Sequence, residues 1–120
     1  MPSSADAAPT RAAFITAAWN AGDVSTITAA FAENIELTAV ASKAYESRQT
    51  LNLRGKAAVS AATAANFERN QRYRLVSSIE KERFLSMVLE DGDGERQVVT
   101  MDFDAEGRIF RLVSYRPSPG

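Results

Sequence analysis

The stretch WNAGD, residues 19–23, ends one helical pattern and starts another within five residues. Before it, apolar residues recur at the spacing of one helix face, from about Thr10 onward. Gly22 stands where a left-handed residue commonly ends a helix, because glycine has no Cβ to clash there. Asp23 fits the N-cap of a second helix, expected over 24–32, since its carboxylate accepts from free N–H groups of the first turn. The stretch therefore predicts a tight corner between two helices.

The period of the pattern changes after this corner. Ile35, Leu37 and Ala39 alternate with polar residues, which predicts a half-buried strand. A loop over 42–47, a returning strand over 49–54 and a third helix over 56–70 follow. Four more strands are expected at 72–79, 83–90, 95–103 and 108–116, joined by short polar turns. Because short turns join antiparallel strands, the chain is predicted to be an α+β domain with helices on one face of a curved sheet.

Composition restricts the partners of this domain. The chain has 120 residues, 45% of them hydrophobic and 24% charged, which suits one globular domain with a real core. The net charge of −1 and the scattered Lys and Arg residues predict no nucleic-acid partner, and no apolar run is long enough for a membrane span. Residues 1–9 lack the basic start and the apolar stretch of a signal peptide, so we expect a cytoplasmic protein. We expect these nine residues to form a disordered tail and residues 10–117 to form the domain.

Two residue types are missing altogether. The sequence has no cysteine and no histidine, which excludes disulfides, a thiolate nucleophile and a Ser-His-Asp triad. A metal would need carboxylates alone, and no Asp or Glu cluster has a suitable spacing. We therefore expect neither a metal site nor a cofactor.

Both faces of the predicted sheet are rich in apolar residues. In "RFLSMVLE" (83–90), Phe84 and Val88 fall on one face, and Leu85, Met87 and Leu89 fall on the other. The helices cover one face, so the other is predicted to meet a second copy of the chain in a homodimer. The alternative is that scattered exposed apolar residues carry no meaning.

The third helix presents mostly alanine, threonine and asparagine to the sheet. Such short side chains leave a hollow unless large aromatic residues fill it, and a lined hollow is the default site for a ligand. The alternative is that Phe14, Trp19, Phe31 and Phe67 simply complete a packed core. The sequence thus predicts a small apolar ligand as the partner of the helix-covered face.

Three segments carry a resemblance to a known family: "AAWNAGDVSTITAAFAENIEL", "LRGKAAV" and "MDFDAEGRIFRLVSY". They resemble the nuclear transport factor 2-like superfamily, in particular its SnoaL-like polyketide cyclases and ketosteroid isomerases. The resemblance extends from about Thr10 to Arg116. It implies a cone-shaped single domain, in which three helices of the N-terminal half pack on a strongly curved antiparallel sheet. It also implies a pocket between helices and sheet and, frequently, a dimer through the outer sheet face.

The catalytic groups of these relatives are not present. Ketosteroid isomerases need an Asp base with a Tyr and a protonated Asp as oxyanion donors. The resemblance places these on Ala39 (or Thr38), on Ile15 (or Phe14) and on Val99, which move no proton. SnoaL-like cyclases are expected to use His and Asp, and the chain has no histidine. The catalytic residues, and whether the chain is an enzyme, stay open at this stage.

Polar residues that remain near the expected hollow are few. Strand parity points Ser114 and Arg116 inward, although an arginine at a strand end also commonly extends to water. Tyr45 in the first hairpin is expected to cover the mouth, or else to pack its ring within the loop. Asp102 falls on the face opposite Met101 and is not expected to act on a ligand.

These arguments give one set of candidate ligand-binding residues and two function hypotheses. The first hypothesis is an isomerase, cyclase or dehydratase acting on a polyketide, terpenoid or steroid-like compound. The second is a non-catalytic module for apolar-ligand binding or dimerisation. The candidate residues are Phe14, Ile15, Ala18, Trp19, Phe31, Ala39, Tyr45, Thr63, Asn66, Phe67, Phe84, Val99, Met101, Leu112, Ser114 and Arg116.

Overall fold

The computed structural model describes residues 10–41, 49–67 and 72–116, and only the backbone of residues 41, 49, 66 and 67. The predicted tail (1–9), the predicted loop (42–47) and the predicted end of the third helix (68–70) lie outside the described residues. Within the described ranges the chain forms three helices and six strands, which confirms the predicted α+β class. The helices are α1 (Arg11–Asn20), α2 (Val24–Ala29) and α3 (Lys56–Phe67). The strands are β1 (Phe31–Ala41), β2 (Gln49–Arg54), β3 (Arg74–Lys81), β4 (Phe84–Glu90), β5 (Arg96–Phe103) and β6 (Ile109–Arg116).

The corner between α1 and α2 has the predicted construction. Gly22 adopts a φ of 73°, the left-handed conformation that only glycine takes without cost. Asp23 caps α2, because its carboxylate accepts from the Thr26 N–H at 3.3 Å and from the Thr26 hydroxyl at 2.6 Å. The WNAGD stretch therefore stops α1 and starts α2 by local chemistry alone.

The six strands form one curved, open sheet in the order β2-β1-β6-β5-β4-β3. Strands β3 to β6 form the predicted antiparallel meander, and β1 and β2 form the predicted hairpin. The two halves join through a parallel pairing of β1 with β6, in which Ala39 lies beside Ser114. Strands β1 and β6 are separated in sequence by β2, α3 and strands β3 to β5. The local sequence pattern of either strand therefore does not predict their pairing.

The second helix is shorter than the sequence pattern predicted. It ends at Ala29, and Phe31 already belongs to β1, where it pairs with Ile109. The N–H of Ile109 donates to the carbonyl of Ala30 at 2.8 Å, which fixes this strand beside β6. Pairing with a distant strand therefore outweighs the helical spacing of Ile27 and Phe31, and the predicted helix end near residue 32 is wrong.

The core lies between the helices and the inner face of the sheet. In β4 the residues Leu85, Met87 and Leu89 are buried, and their neighbours along the strand are only half-buried. This alternation defines an inner and an outer face, as expected for a sheet covered on one side. The buried residues of the core cluster are Ala12, Ala18, Ile27, Phe31, Ile35, Val59, Leu85, Met87, Leu89, Val99, Met101, Phe103 and Ile109.

Candidate ligand-binding cavity

A cavity of about 200 Å³ lies between the helices and the inner face of the sheet. All three helices and strands β1, β2, β4, β5 and β6 contribute to its wall. Most of the wall is carbon, from Ile15, Trp19, Ile27, Phe31, Leu37, Ala39, Leu51, Ala62, Met87, Leu89, Val99, Met101 and Leu112. The polar residues of the wall are Thr16, Thr63, Tyr73, Gln97, Ser114 and Arg116.

Helix α3 contributes short side chains to this wall. Within α3, Val59 is completely buried in the core, and Ala62 and Thr63 are the residues that reach the cavity. The Thr63 hydroxyl donates to the Val59 carbonyl at 2.8 Å, so its proton is used within the helix. Helix α3 thus borders the cavity with a nearly apolar surface that fills little volume.

Trp19 and Asn20, at the C-terminal end of α1, form and support another part of the cavity wall. The side-chain amide of Asn20 accepts from the N–H of Tyr73 at 2.9 Å and donates to the carbonyl of Tyr73 at 2.7 Å. The rings of Trp19 and Tyr73 meet edge to face, with 6.1 Å between centroids. Trp19 and Tyr73 therefore form one wall of the cavity, and Asn20 fixes the backbone that carries the tyrosine.

The polar residues from the sheet gather at one end of the cavity. Gln97 of β5 donates from Nε2 to the Ser114 Oγ of β6 at 2.5 Å. The other amide atom, Gln97 Oε1, is buried and has no hydrogen-bond partner among the described residues. Arg116 lies at the same end, with its Nη1 3.9 Å from a carboxylate oxygen of Glu95 and its side chain 37% exposed. One end of a carbon-lined cavity therefore carries an amide, a hydroxyl and a cation.

Many of the residues expected near a ligand lie together on this cavity. They are Ile15, Trp19, Phe31, Ala39, Thr63, Val99, Met101, Leu112, Ser114 and Arg116. Tyr45 lies outside the described residues, as do the side chains of Asn66 and Phe67. Leu112, Ser114 and Arg116 are alternate residues of β6, and all three border the cavity.

Three expected residues lie elsewhere. Phe84 is on the outer face, because the alternation of β4 buries Leu85, Met87 and Leu89 instead. Phe14 is 56% exposed on a side of α1 turned away from the cavity. Ala18 is buried in the core without reaching the cavity wall. These placements correct the expectation that all three residues border the hollow.

Sequence reasoning missed several wall residues. Met87 and Leu89 were missed because Phe84, on the opposite face of β4, was expected in the hollow instead. Gln97 has the strand parity of Val99 and Met101, so parity carried to the start of β5 identifies it. Leu37 follows from Ala39 in the same way. The remainder are Thr16, Ile27, Leu51, Ala62 and Tyr73, and their positions depend on how helices and edge strands pack.

Comparison with solved structures places the architecture. No family model matches the sequence, and no curated protein matches it. A SnoaL-like protein of unknown function from Burkholderia thailandensis superposes with a TM-score of 0.68 at 17% identity, over 85% of this chain and 87% of that chain. A SnoaL-like protein from Agrobacterium tumefaciens, described as a candidate isomerase, gives 0.60 at 20% identity, over 88% and 93%. The epoxide hydrolase/cyclase-like enzyme SalBIII, which acts in pyran ring formation in the polyether salinomycin, gives 0.64 at 16% identity, over 88% and 87%.

The chain has the SnoaL-like fold. The three positions on which the resemblance places the catalytic groups of ketosteroid isomerases, Ile15, Ala39 and Val99, all border the cavity. Each carries an aliphatic side chain, so no proton transfer can occur at these positions.

Carboxylates are absent from the described part of the cavity wall. No carboxylate lines the cavity among residues 10–41, 49–65 and 72–116. The same part of the chain holds no group of three His, Cys, Asp or Glu residues able to bind a metal ion. None of its helices is long and apolar enough to cross a bilayer. The described part of the wall therefore offers hydrogen bonds and the positive charge of Arg116 to a bound molecule.

Proposed function

We propose that the chain binds a small, largely apolar molecule in the cavity between its helices and its sheet. The supporting observation is the composition of the wall, which is mostly carbon and has Gln97, Ser114 and Arg116 grouped at one end. Burying apolar ligand surface against such a wall contributes about 25 cal/mol for each Å² removed from water. The few polar groups then fix the orientation of the ligand, as in most small-molecule sites.

The volume of the cavity limits the size of the ligand. A dry cavity of about 150 Å³ lined by Leu, Ile and Phe holds one benzene ring. A volume of about 200 Å³ suits one ring with a few substituents. Among polyketide, terpenoid and steroid-like compounds, the single-ring members fit best and the four fused rings of a steroid exceed the space.

An isomerase, cyclase or dehydratase activity is the second candidate function. The observation that favours it is Arg116, a cation bordering a mostly apolar cavity. Negative charge that develops on a substrate oxygen is stabilised by a preorganised cation beside it. The similarity of the fold to SalBIII and to the candidate isomerase from Agrobacterium tumefaciens supports this second candidate.

We also propose that two copies of the chain associate through the outer face of the sheet. Val88, Val98, Tyr115 and Val40 form a lateral row across four paired strands of that face. All four are half-buried in a single chain, and a contiguous apolar strip of this kind suits a two-fold interface. The cytoplasmic location and the absence of a nucleic-acid partner stay predictions from the sequence.

Filling the cavity tests the binding proposal. Ala62→Leu adds bulk to the wall from α3, and Ala61→Leu adds the same bulk to an exposed position one residue earlier. We expect cyclohexylmethanol, followed by isothermal titration calorimetry, to bind the unchanged chain and Ala61→Leu equally and Ala62→Leu at least about tenfold more weakly. Equal binding by Ala62→Leu places the ligand elsewhere and refutes the proposal.

A deuterium-exchange assay separates the two candidate functions. Cyclic enones are incubated with the protein in heavy water, and incorporation of deuterium beside the carbonyl is followed by NMR. Deuteroxide from the solvent removes the proton beside the carbonyl, Arg116 stabilises the enolate that forms, and the exchange is accelerated; Arg116→Met removes the acceleration. Binding of the enone with the exchange rate of buffer alone assigns a binding function without catalysis.

A further inference from the structure

The polar end of the cavity presents hydrogen-bond donors. The Ser114 Oγ already accepts the proton of Gln97 Nε2, so the hydroxyl proton of Ser114 is left to donate. Among the described residues, the Ser114 hydroxyl takes part in this hydrogen bond as an acceptor and donates none. Arg116 adds a guanidinium, which carries five N–H donors and no acceptor. A ligand that reaches this end therefore meets one hydroxyl donor and one cationic donor.

Among the described residues, one carboxylate lies within ion-pair distance of the Arg116 guanidinium. It belongs to Glu95, and the 3.9 Å between Nη1 and Oε1 is at the limit of an ion pair. Both side chains are partly exposed, where such a pair contributes little. With no carboxylate in the described wall, the guanidinium keeps its positive charge available to a ligand.

The side chain of Gln97 is the hydrogen-bond partner of the Ser114 hydroxyl. Its Oε1 is buried without a described partner, while its Nε2 donates to the Ser114 Oγ. Leucine fills a similar volume without any unpaired atom, so packing alone does not account for the amide. What the amide adds is the hydrogen bond that directs Ser114.

We infer that this end of the cavity binds the carboxylate of a small apolar acid. Arg116 and Ser114 donate to the carboxylate oxygens, the ring of the acid lies against the carbon wall, and Gln97 is a positioning residue for Ser114. Guanidinium groups match carboxylates in charge and in donor geometry, which a neutral ketone or alcohol satisfies only in part. This inference rests on the proposed function and names the ligand class for the same site.

Matched ligands test the inference. Cyclohexanecarboxylate, cyclohexylmethanol and cyclohexylmethylamine share one ring and differ in the charge of the polar group. A hydrogen-bonded charge pair favours the acid by about ten- to hundredfold over the alcohol, measured by calorimetry on the full chain at pH 7. We expect Arg116→Met to remove this preference and Arg111→Met, on the opposite face of the same strand, to leave it unchanged.

The outcomes are distinguishable from failure of the proposed function. If Ala62→Leu blocks the alcohol but the acid binds no tighter than the alcohol, the cavity is the site and the carboxylate inference is wrong. Tighter binding of the amine than of the acid overturns the inference as well. If none of the three ligands responds to Ala62→Leu, the proposed function itself fails.

Gln97→Leu separates a positioning role from a structural one. We expect this variant to weaken cyclohexanecarboxylate about three- to tenfold, since one neutral hydrogen bond directs Ser114, while the affinity for the alcohol stays the same. Ser114→Ala is expected to weaken the acid at least as much. An equal loss for both ligands in Gln97→Leu shows a general change of the cavity and contradicts the positioning role.

Discussion

Asn20 and Tyr73 are joined by two hydrogen bonds across 53 residues of sequence, from both polar atoms of one amide to both polar atoms of one backbone unit. The pair connects the C-terminal end of α1 to the residue that precedes β3. It also sets the ring of Tyr73 edge-on against Trp19 in the cavity wall. A residue of the helix corner thereby determines the entry of the chain into the meander and part of the ligand site.

Asn20→Ala is expected to lower the free energy of unfolding by about 1–2 kcal/mol. The substitution removes both hydrogen bonds between the Asn20 amide and the half-buried backbone of Tyr73, and each such bond contributes about 0.5–1.5 kcal/mol. Urea denaturation measures the change, and Asn34→Ala, at an exposed position of β1, is the control with an expected change within about 0.5 kcal/mol. A loss for Asn20→Ala no larger than that of the control contradicts the role of this pair.

The cap of α2 predicts a dependence of stability on pH. The hydrogen bond from the Thr26 hydroxyl, followed by that from the Thr26 N–H, holds the pKa of Asp23 below its ordinary value. A pKa lowered by folding stabilises the protein fully above the unfolded-state pKa, near pH 4, and this contribution is lost as the pH falls through the folded-state pKa. Acid lowers the stability of the protein for this reason among others.

Asp23→Asn isolates the charge from the cap. Asparagine caps a helix about as well as aspartate but does not titrate, so this variant should retain α2 while losing part of the acid sensitivity below pH 4. Asp23→Ala should lose the cap and lower the unfolding midpoint at neutral pH. Thermal unfolding of the three proteins at several pH values measures both effects. Parallel pH curves for the unchanged chain and Asp23→Asn rule out the proposed linkage.

Substitution by alanine is expected to lower the free energy of unfolding much more at Phe31 than at Phe14. Phe31 is 1% exposed and Phe14 is 56% exposed, although both were expected in the hollow. Phe31→Ala removes a core ring and is expected to lower the free energy of unfolding by about 3–5 kcal/mol. Phe14→Ala is expected to cost less than about 1 kcal/mol, because its ring stays largely in water. Similar losses in denaturation experiments for both variants conflict with this description of α1.

Local signals predicted most of the fold. Gly22 and Asp23 indicate a helix boundary through local conformation and capping, independently of tertiary contacts. Short polar turns between consecutive strands require the strands of the meander to pair antiparallel. The parallel pairing of β1 with β6 depends on contacts between residues far apart in sequence, which a local pattern does not contain. The same pairing takes Phe31 from the predicted helix into a strand.

The candidate site was less predictable for a related reason. Alternation along a strand identifies the facing residues, as for Ser114 and Arg116, but the packing angle of each helix decides which of its residues reach a cavity. Ile15 borders the cavity and its neighbour Phe14 does not, because successive helical residues point about 100° apart. The hydrogen bond between Gln97 and Ser114 depends on strand register, which the sequence does not specify.

We predict that the chain dimerises through the outer face of the sheet and that one charged residue introduced into this face disrupts the dimer. Val98 lies in the lateral row between Val88 and Tyr115, near the middle of that face. Val98→Lys buries an unpaired ammonium group if two such faces meet, and the cost of desolvating that charge opposes association. We expect the unchanged chain to sediment as a dimer in analytical ultracentrifugation and Val98→Lys to sediment as a monomer.

Thr50→Lys provides the matched control for this variant. Thr50 pairs with Val40 at the end of the same row but is exposed on the edge strand β2, so an added lysine there extends into water. The control is expected to remain a dimer, and equal unfolding midpoints for the two lysine variants show that the monomer is folded. Sedimentation of the unchanged chain as a monomer, or of Val98→Lys as a dimer, excludes this face as the interface, because no arrangement of the row accommodates an unpaired lysine at its centre.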